Sequence, residues 1–168
     1  HYFDLLVNGD HNKISETIFR SPFTSAQINT ASPVWNGYNR TNSYFDGLGR
    51  LIQTVSERQS PLGYDALTPV AYDAFGRTPI NYLPYASSST DGYYDENALS
   101  GNQANFYQNA PYVAHENLPY AESLFESSPL NRIIDQGAPG PEWQIGNHTN
   151  KTDYLSNAED EVALWKIN

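Results

Sequence analysis

A strand–turn–strand pattern that occurs twice constrains this sequence more than any other feature. Residues 44–50 read YFDGLGR and residues 72–77 read YDAFGR, and both are flanked by strand-forming residues. Aspartate can accept bonds from the following backbone, and glycine supplies a positive φ angle. The pattern therefore predicts two β-hairpins, with turns at residues 46–49 and 73–76. The motif residues are Tyr44, Phe45, Asp46, Gly49 and Arg50 in the first copy, and Tyr72, Asp73, Gly76 and Arg77 in the second.

A weaker third copy is predicted at residues 128–132, which read SPLNR. It keeps a leucine and an arginine, Leu130 and Arg132, and has Asn131 in place of the glycine. Asparagine tolerates the left-handed backbone region better than most residues, so the replacement is chemically sensible. The arginines of the first two copies, Arg50 and Arg77, are expected to occupy equivalent positions and to bind carboxylate or backbone groups, because the rigid fork of arginine suits such bonds.

The composition agrees with many short strands joined by turns. The chain has 13 Tyr, 7 Phe and 3 Trp, and its 11 Gly and 11 Pro are scattered. We predict a mainly β fold of antiparallel β-hairpin repeats, with one short helix near residues 100–108. Ser100 and Gln103 have the spacing of a capping box at the start of that helix. Residues 1–40 are predicted to be an N-terminal arm or first strand, and residues 41–168 a β domain with an insertion at about 86–120.

Charge and composition argue against several classes of partner. The net charge is −10, with 9 Lys and Arg against 19 Asp and Glu, which argues against a nucleic-acid ligand. No apolar run approaches the roughly 18 residues of a membrane span. Cysteine is absent, so a disulfide framework and thiolate chemistry are excluded. No cofactor is predicted.

The repeated motif resembles the YD repeat of Rhs proteins, which reads Tyr-Asp-x-x-Gly-Arg. The first copy departs from that pattern, since Phe45 precedes Asp46 where tyrosine is usual. Three further stretches resemble an uncharacterised domain that precedes the YD repeats in long Rhs-type chains. They are residues 82–85 (YLPY), 124–132 (LFESSPLNR) and 136–143 (QGAPGPEW). The resemblance extends from about Asn12 to the C-terminus.

The resemblance implies a structural role rather than catalysis. YD repeats form β-hairpin strips that spiral into hollow shells in polymorphic toxins. We therefore expect a non-enzymatic shell or cap module of a large bacterial protein, secreted or at the cell surface. Its expected partner is the remainder of a longer Rhs polypeptide, or a secretion or shell protein.

Other interpretations remain open at the level of sequence. A cell-surface carbohydrate-binding or adhesive β module is the alternative, with Trp35, Trp143 and Trp165 as its aromatic platform. A loop rich in oxygen ligands is a weak calcium candidate, although its spacing is not that of an EF-hand. A glycosidase is disfavoured, because no motif selects a pair among the 19 acidic residues. The loop residues are Asp91, Asp95, Glu96 and Asn97.

Overall fold

The computed structural model describes the backbone of residues 2–8 and the complete residues 11–21 and 37–158. These residues form a mainly β structure with antiparallel sheets and one short helix, as the sequence predicts. The described strands form two sheets, one of six strands and one of four. Neighbouring strands within each sheet are antiparallel.

The strand bounds show how the chain divides between the two sheets. In spatial order, the first sheet contains β1 (Tyr2–Asn8), β2 (His11–Phe19), β3 (Tyr38–Phe45), β4 (Leu51–Ser56), β5 (Ala66–Pro69) and β7 (Tyr85–Ala86). The second sheet contains, again in spatial order, β6 (Ile80–Tyr82), β8 (Tyr120–Phe125), β9 (Ile133–Gln136) and β10 (Asn150–Lys151). The second YD-like motif lies between β5 and β6, so the chain passes from one sheet to the other at that turn.

The hydrophobic core lies on one face of the first sheet. Strand alternation directs every second side chain inward, which buries Tyr44 in β3 and Val55 in β4. Partly buried aromatic residues from the segment after β7 pack against this cluster. The buried cluster consists of Tyr44, Val55, Leu67, Tyr85 and Ala98.

The short helix, α1 (Gln103–Asn109), follows a wide helical turn at Ala98–Asn102 and confirms the helix predicted near residues 100–108. The capping-box expectation is wrong, because α1 has no side-chain cap and the Ser100 hydroxyl donates to Asn97 Oδ1 instead. Gln103 is buried, and its Nε2 donates to the carbonyls of Leu83 and Pro119. That amide ties the helix to the chain on either side of the inserted segment.

The predicted division after residue 40 falls inside β3. Residues 38–45 of β3 pair with residues 12–19 of β2, so β2 and the first YD-like hairpin share one sheet. In the part of the chain that the structure describes, no helix has the length and apolarity that crossing a bilayer requires.

Candidate functional site

The first YD-like turn is closed by a single aspartate. Asp46 Oδ1 accepts the backbone N–H groups of Leu48 and Arg50, both at 2.9 Å. Its other oxygen, Oδ2, accepts Arg50 Nε and Nη2, both at 2.8 Å. The Gly49 N–H donates to the Asp46 carbonyl, and Gly49 has φ +76°. One carboxylate therefore fixes both the turn and the arginine that follows it.

The second turn repeats this geometry almost without change. Asp73 Oδ1 accepts the N–H groups of Phe75 at 2.8 Å and Arg77 at 2.9 Å, and Oδ2 accepts Arg77 Nε at 2.7 Å. Gly76 has φ +77° and donates its N–H to the Asp73 carbonyl. The structure thus places Arg50 and Arg77 in equivalent positions.

The third copy reaches the same arrangement with different residues. Glu126, six residues before Arg132, binds its Nε and Nη2, each at 2.8 Å. The Leu130 N–H donates to the Ser128 hydroxyl oxygen rather than to the carboxylate of the acid. Asn131 has φ +52° at the position of the glycine. A longer acid and a serine therefore replace the single aspartate, a substitution that a search for Asp-x-x-Gly-Arg does not detect.

The three turns stack on one another through their arginines. Each guanidinium lies over an aromatic ring, and the first two rings stand directly before the acid of the next turn. Such cation–π contacts contribute about 0.5–1 kcal/mol each at exposed sites. We call this series the arginine ladder. Its pairs are Arg50 on Tyr72, Arg77 on Phe125 and Arg132 on Tyr154, with distances from guanidinium carbon to ring centre of 4.4, 4.7 and 4.2 Å.

Hydrogen bonds fix the ladder along the chain. The Tyr72 hydroxyl donates to the Leu51 carbonyl at 2.9 Å, and the Tyr154 hydroxyl donates to the Ile133 carbonyl at 3.1 Å. Both accepting carbonyls belong to the residue after a ladder arginine, and both bonds span 21 residues of sequence. The same contact therefore recurs with the same spacing, as expected of a structural repeat.

A direct bond connects the second and third turns. Arg77 Nη1 donates to Asn131 Oδ1 at 3.0 Å. At the equivalent place between the first two turns, a Cβ on Gly76 would lie 3.7 Å from Arg50 Nη1. Asn131 therefore meets both requirements of its position, the positive φ and an acceptor for the preceding arginine.

The turn acids are held in their charged form. The pKa of Asp46 is lowered mainly by the hydrogen bond from the backbone N–H of Arg50. Desolvation raises this pKa, but the hydrogen bond from the Arg50 side chain lowers it further, so the net shift is downward. Desolvation raises the pKa of Asp73, but the backbone and side-chain bonds from Arg77 outweigh it, so the net shift is downward. The side-chain bonds from Arg132 and then Ser128 lower the pKa of Glu126 to about 2. These carboxylates serve as hydrogen-bond acceptors of the turns.

A buried polar cluster around Gly92 was not predicted from the sequence. The Gly92 carbonyl accepts Asn42 Nδ2 at 2.9 Å and the Tyr44 hydroxyl at 2.7 Å. Its N–H donates to Asp65 Oδ2 at 2.7 Å, and Asn42 Nδ2 also donates to Glu57 Oε1. Gly92 has φ +71°, and a Cβ there would overlap Asn42 and Glu57. Desolvation raises the pKa of Glu57 despite the bond from Asn42.

The predicted calcium-candidate loop is occupied by internal bonds. Asp95 Oδ2 accepts the Tyr85 hydroxyl at 2.6 Å and Asn102 Nδ2 at 2.8 Å, while Oδ1 accepts the Asn97 N–H. Asp91 Oδ1 accepts the N–H of Tyr93. Among the residues described, no group of three or more His, Asp or Glu side chains is arranged to hold a metal ion.

The predicted tryptophan platform is described only at one position. Trp143 is about half exposed and its ring lies 5.6 Å from that of His148. The chain folds back so that the Trp143 carbonyl lies close to Gly137, where a Cβ would approach that oxygen to 2.5 Å. The absence of a side chain at Gly137 permits this close approach. Trp35 and Trp165 lie outside the described residues.

Comparison with known proteins gives one match. A family model described as "Domain of unknown function (DUF6443)" matches residues 15–156, a stretch that includes all three turns and the ladder. No curated protein and no solved structure matches the chain.

Proposed function

The chain belongs to the DUF6443 family, and from that premise we propose that it is a structural module of a large secreted bacterial Rhs/YD-repeat-type protein. In this role it forms part of a β-hairpin strip or shell and performs no catalysis of its own. The two Tyr/Phe-Asp-x-x-Gly-Arg copies support the proposal by their resemblance to YD repeats. The fold alone would not support it, because one fold serves many functions.

The arginine ladder is the observation that carries this proposal. Three turns with different local sequences each place an arginine on an aromatic ring further along the chain, and for the first two turns that ring directly precedes the acid of the next turn. The acids and arginines of the turns bind one another, which leaves them engaged in the scaffold rather than aimed at a substrate. A unit that stacks on the next through the same contact is the basis of a repeat array.

The exposed side chains at the tips of the turns are also consistent with a module whose turns contact another part of a larger assembly. Leu48, Phe75 and Leu130 each precede the residue with positive φ, and they are 80%, 80% and 69% exposed. Large apolar side chains at equivalent, exposed positions favour contact with another surface. The remainder of a longer polypeptide, or a secretion or shell protein, would provide that surface.

Isolation of the natural polypeptide tests the proposal. An epitope tag inserted at Leu62, an exposed position, would allow its recovery from culture medium and cell fractions. We expect the tag on a secreted or surface polypeptide much larger than 18.8 kDa, with a shell-like particle visible by electron microscopy. Recovery of a free intracellular chain of about 18.8 kDa would contradict the proposal.

Ladder variants in that natural polypeptide test the mechanism. Arg50→Ala combined with Arg77→Ala should make the particle more sensitive to protease, because two contacts between successive turns are lost. Arg20→Ala is the matched control, since Arg20 is exposed and binds Asn39 outside the ladder. Equal protease resistance of the ladder and control variants would show that the ladder does not support the particle.

A further inference from the structure

An open groove lies between the end of the first sheet and the inserted helix. Its volume is about 680 Å³. Ala86 in β7 and Ser88 just after it contribute to one wall, while Asn105 and Asn109 of α1 contribute to the other. None of these residues belongs to the three turns or the arginine ladder, so the groove is a separate feature of the molecule.

One wall of the groove is the open edge of a sheet. Among the described residues, β7 is the last strand of the first sheet and pairs only through Tyr85 with Leu67 and Ala86 with Ala66 on the β5 side. The Ser87 N–H donates to the Asp65 carbonyl, so Ser87 faces β5. Because alternate residues of an antiparallel ladder face opposite sides, the N–H and C=O of Ala86 face away from β5, and Ala86 is one of the residues that line the groove. An edge of this kind can accept a further strand.

Two tyrosine rings line the same groove with much of their surface exposed. Tyr64 is 40% exposed and Tyr93 is 57% exposed. Tyr85, Tyr94 and Phe106 of α1 are further aromatic residues in the lining. The face of an aromatic ring attracts lysine and arginine side chains, and its area also favours apolar contact.

The charged residues of the lining favour a ligand that carries positive charge. Asp65, Asp91 and Asp95 contribute to the groove, whereas no Lys, Arg or His does so among the described residues. Asp65 and Asp95 are already bonded within the protein, but they keep the local field negative. The exposed Asp91 lies next to the tyrosines in the lining. A phosphate or sulfate group would be repelled, and a cation would be attracted.

We propose that this groove binds an extended polypeptide segment that carries lysine or arginine. The segment adds a strand at Ala86 through backbone hydrogen bonds, and its cationic side chain lies against the tyrosine rings near Asp91. The open edge favours a ligand with an extended backbone, and the acidic, aromatic lining favours a cationic side chain on that ligand. The inference does not rest on the proposed shell role, because the ladder contributes no residue to the groove.

Fluorescence anisotropy of the folded 168-residue chain with a labelled probe tests the inference. The probe is an acetylated hexapeptide of alternating threonine and lysine, which favours an extended backbone. We expect saturable binding that weakens in about 0.5 M NaCl because salt screens the charges. Tyr93→Ala and Asp91→Asn should each weaken binding about fivefold or more. Tyr112→Ala should leave it unchanged, since Tyr112 is fully exposed and lies outside the groove.

The outcomes separate this inference from its competitors. Equal binding of a threonine–glutamate hexapeptide would overturn it, as would full affinity in both groove variants. Binding of the neutral sugar cellohexaose without binding of the lysine peptide would identify a saccharide groove and also overturn it. Circular dichroism melts of the variants verify that each is folded before binding is measured.

Discussion

At the scale of single residues, this protein uses positive φ for two different purposes. Gly49 and Gly76 use it to close turns whose sequence already indicates it, because the acid and the glycine lie within four residues of one another. Gly92 uses it inside the molecule, where its backbone binds side chains 48 and 50 residues away in sequence. The turn glycines could therefore be predicted, whereas Gly92 could not, because its partners meet only after the sheet has formed.

Gly92→Ala should be one of the most damaging single substitutions in this chain. A left-handed alanine costs about 1–2 kcal/mol, and displaced partners in the buried cluster cost about 1–3 kcal/mol more. We expect a loss of about 3 kcal/mol in the free energy of unfolding, measured by denaturant titration. Gly47→Ala is the control, since its φ lies outside the left-handed range and nothing lies within 4 Å of its Cβ position. A loss below about 1 kcal/mol for Gly92→Ala would show that the cluster can rearrange.

At the scale of elements, local chemistry determines the turns and long-range packing determines the rest. The sequence predicted both YD-like turns, the short helix and the antiparallel β class. It located the third copy at residues 128–132 but missed Phe125 and Glu126, because the acid is glutamate and the loop is longer. The division into two sheets was also not predicted. Nothing in residues 70–80 indicates that the second turn carries the chain from one sheet to the other.

The comparison of Asn131 with Gly76 predicts the effect of exchanging them. In Gly76→Asn the new amide oxygen should accept Arg50 Nη1, as Asn131 accepts Arg77. We expect Gly76→Asn to be more stable than Gly76→Ala by about 1–2 kcal/mol in denaturant titrations. The same pair of substitutions at Gly49 is the control, because no arginine lies within 4 Å of its Cβ position. If asparagine is more stable than alanine by the same amount at Gly76 and at Gly49, the difference comes from its tolerance of positive φ alone and not from a bond with Arg50.

At the scale of the whole molecule, charge and hydrogen bonding determine how stability varies with pH. The pKa values of Asp46, Asp73 and Glu126 are lowered in the folded state, the last to about 2. The unfolded chain therefore binds more protons than the folded chain at acidic pH, and stability is lost as pH falls. Glu57 changes stability in the opposite direction with pH, because burial raises its pKa in the folded state. Its contribution to stability therefore weakens as pH rises.

Among the described carboxyl groups with a shifted pKa, three values are lowered and one is raised, which predicts an acid-sensitive fold. The melting temperature should fall as pH decreases below about 5, where the acids of the unfolded chain begin to bind protons, towards about 2, the pKa of Glu126 in the folded chain. Calorimetry across that range measures it. Glu126→Gln should flatten the curve, because it removes a group with a strongly lowered pKa. Glu57→Gln is the matched control and should steepen it, since the opposing group is removed. A melting temperature independent of pH would contradict the assigned shifts.

The coupling of successive turns through their arginines is tested most directly by a double-mutant cycle on Arg77 and Asn131. Arg77→Ala removes the donor, and Asn131→Gly removes the acceptor without straining the positive φ. Denaturant unfolding of the single and double variants should give a coupling free energy of about 0.5–1.5 kcal/mol. The control cycle on Arg50 and Asn131, which belong to non-adjacent turns, should be additive. Additive effects in the Arg77–Asn131 cycle would contradict the coupling of successive turns through their arginines.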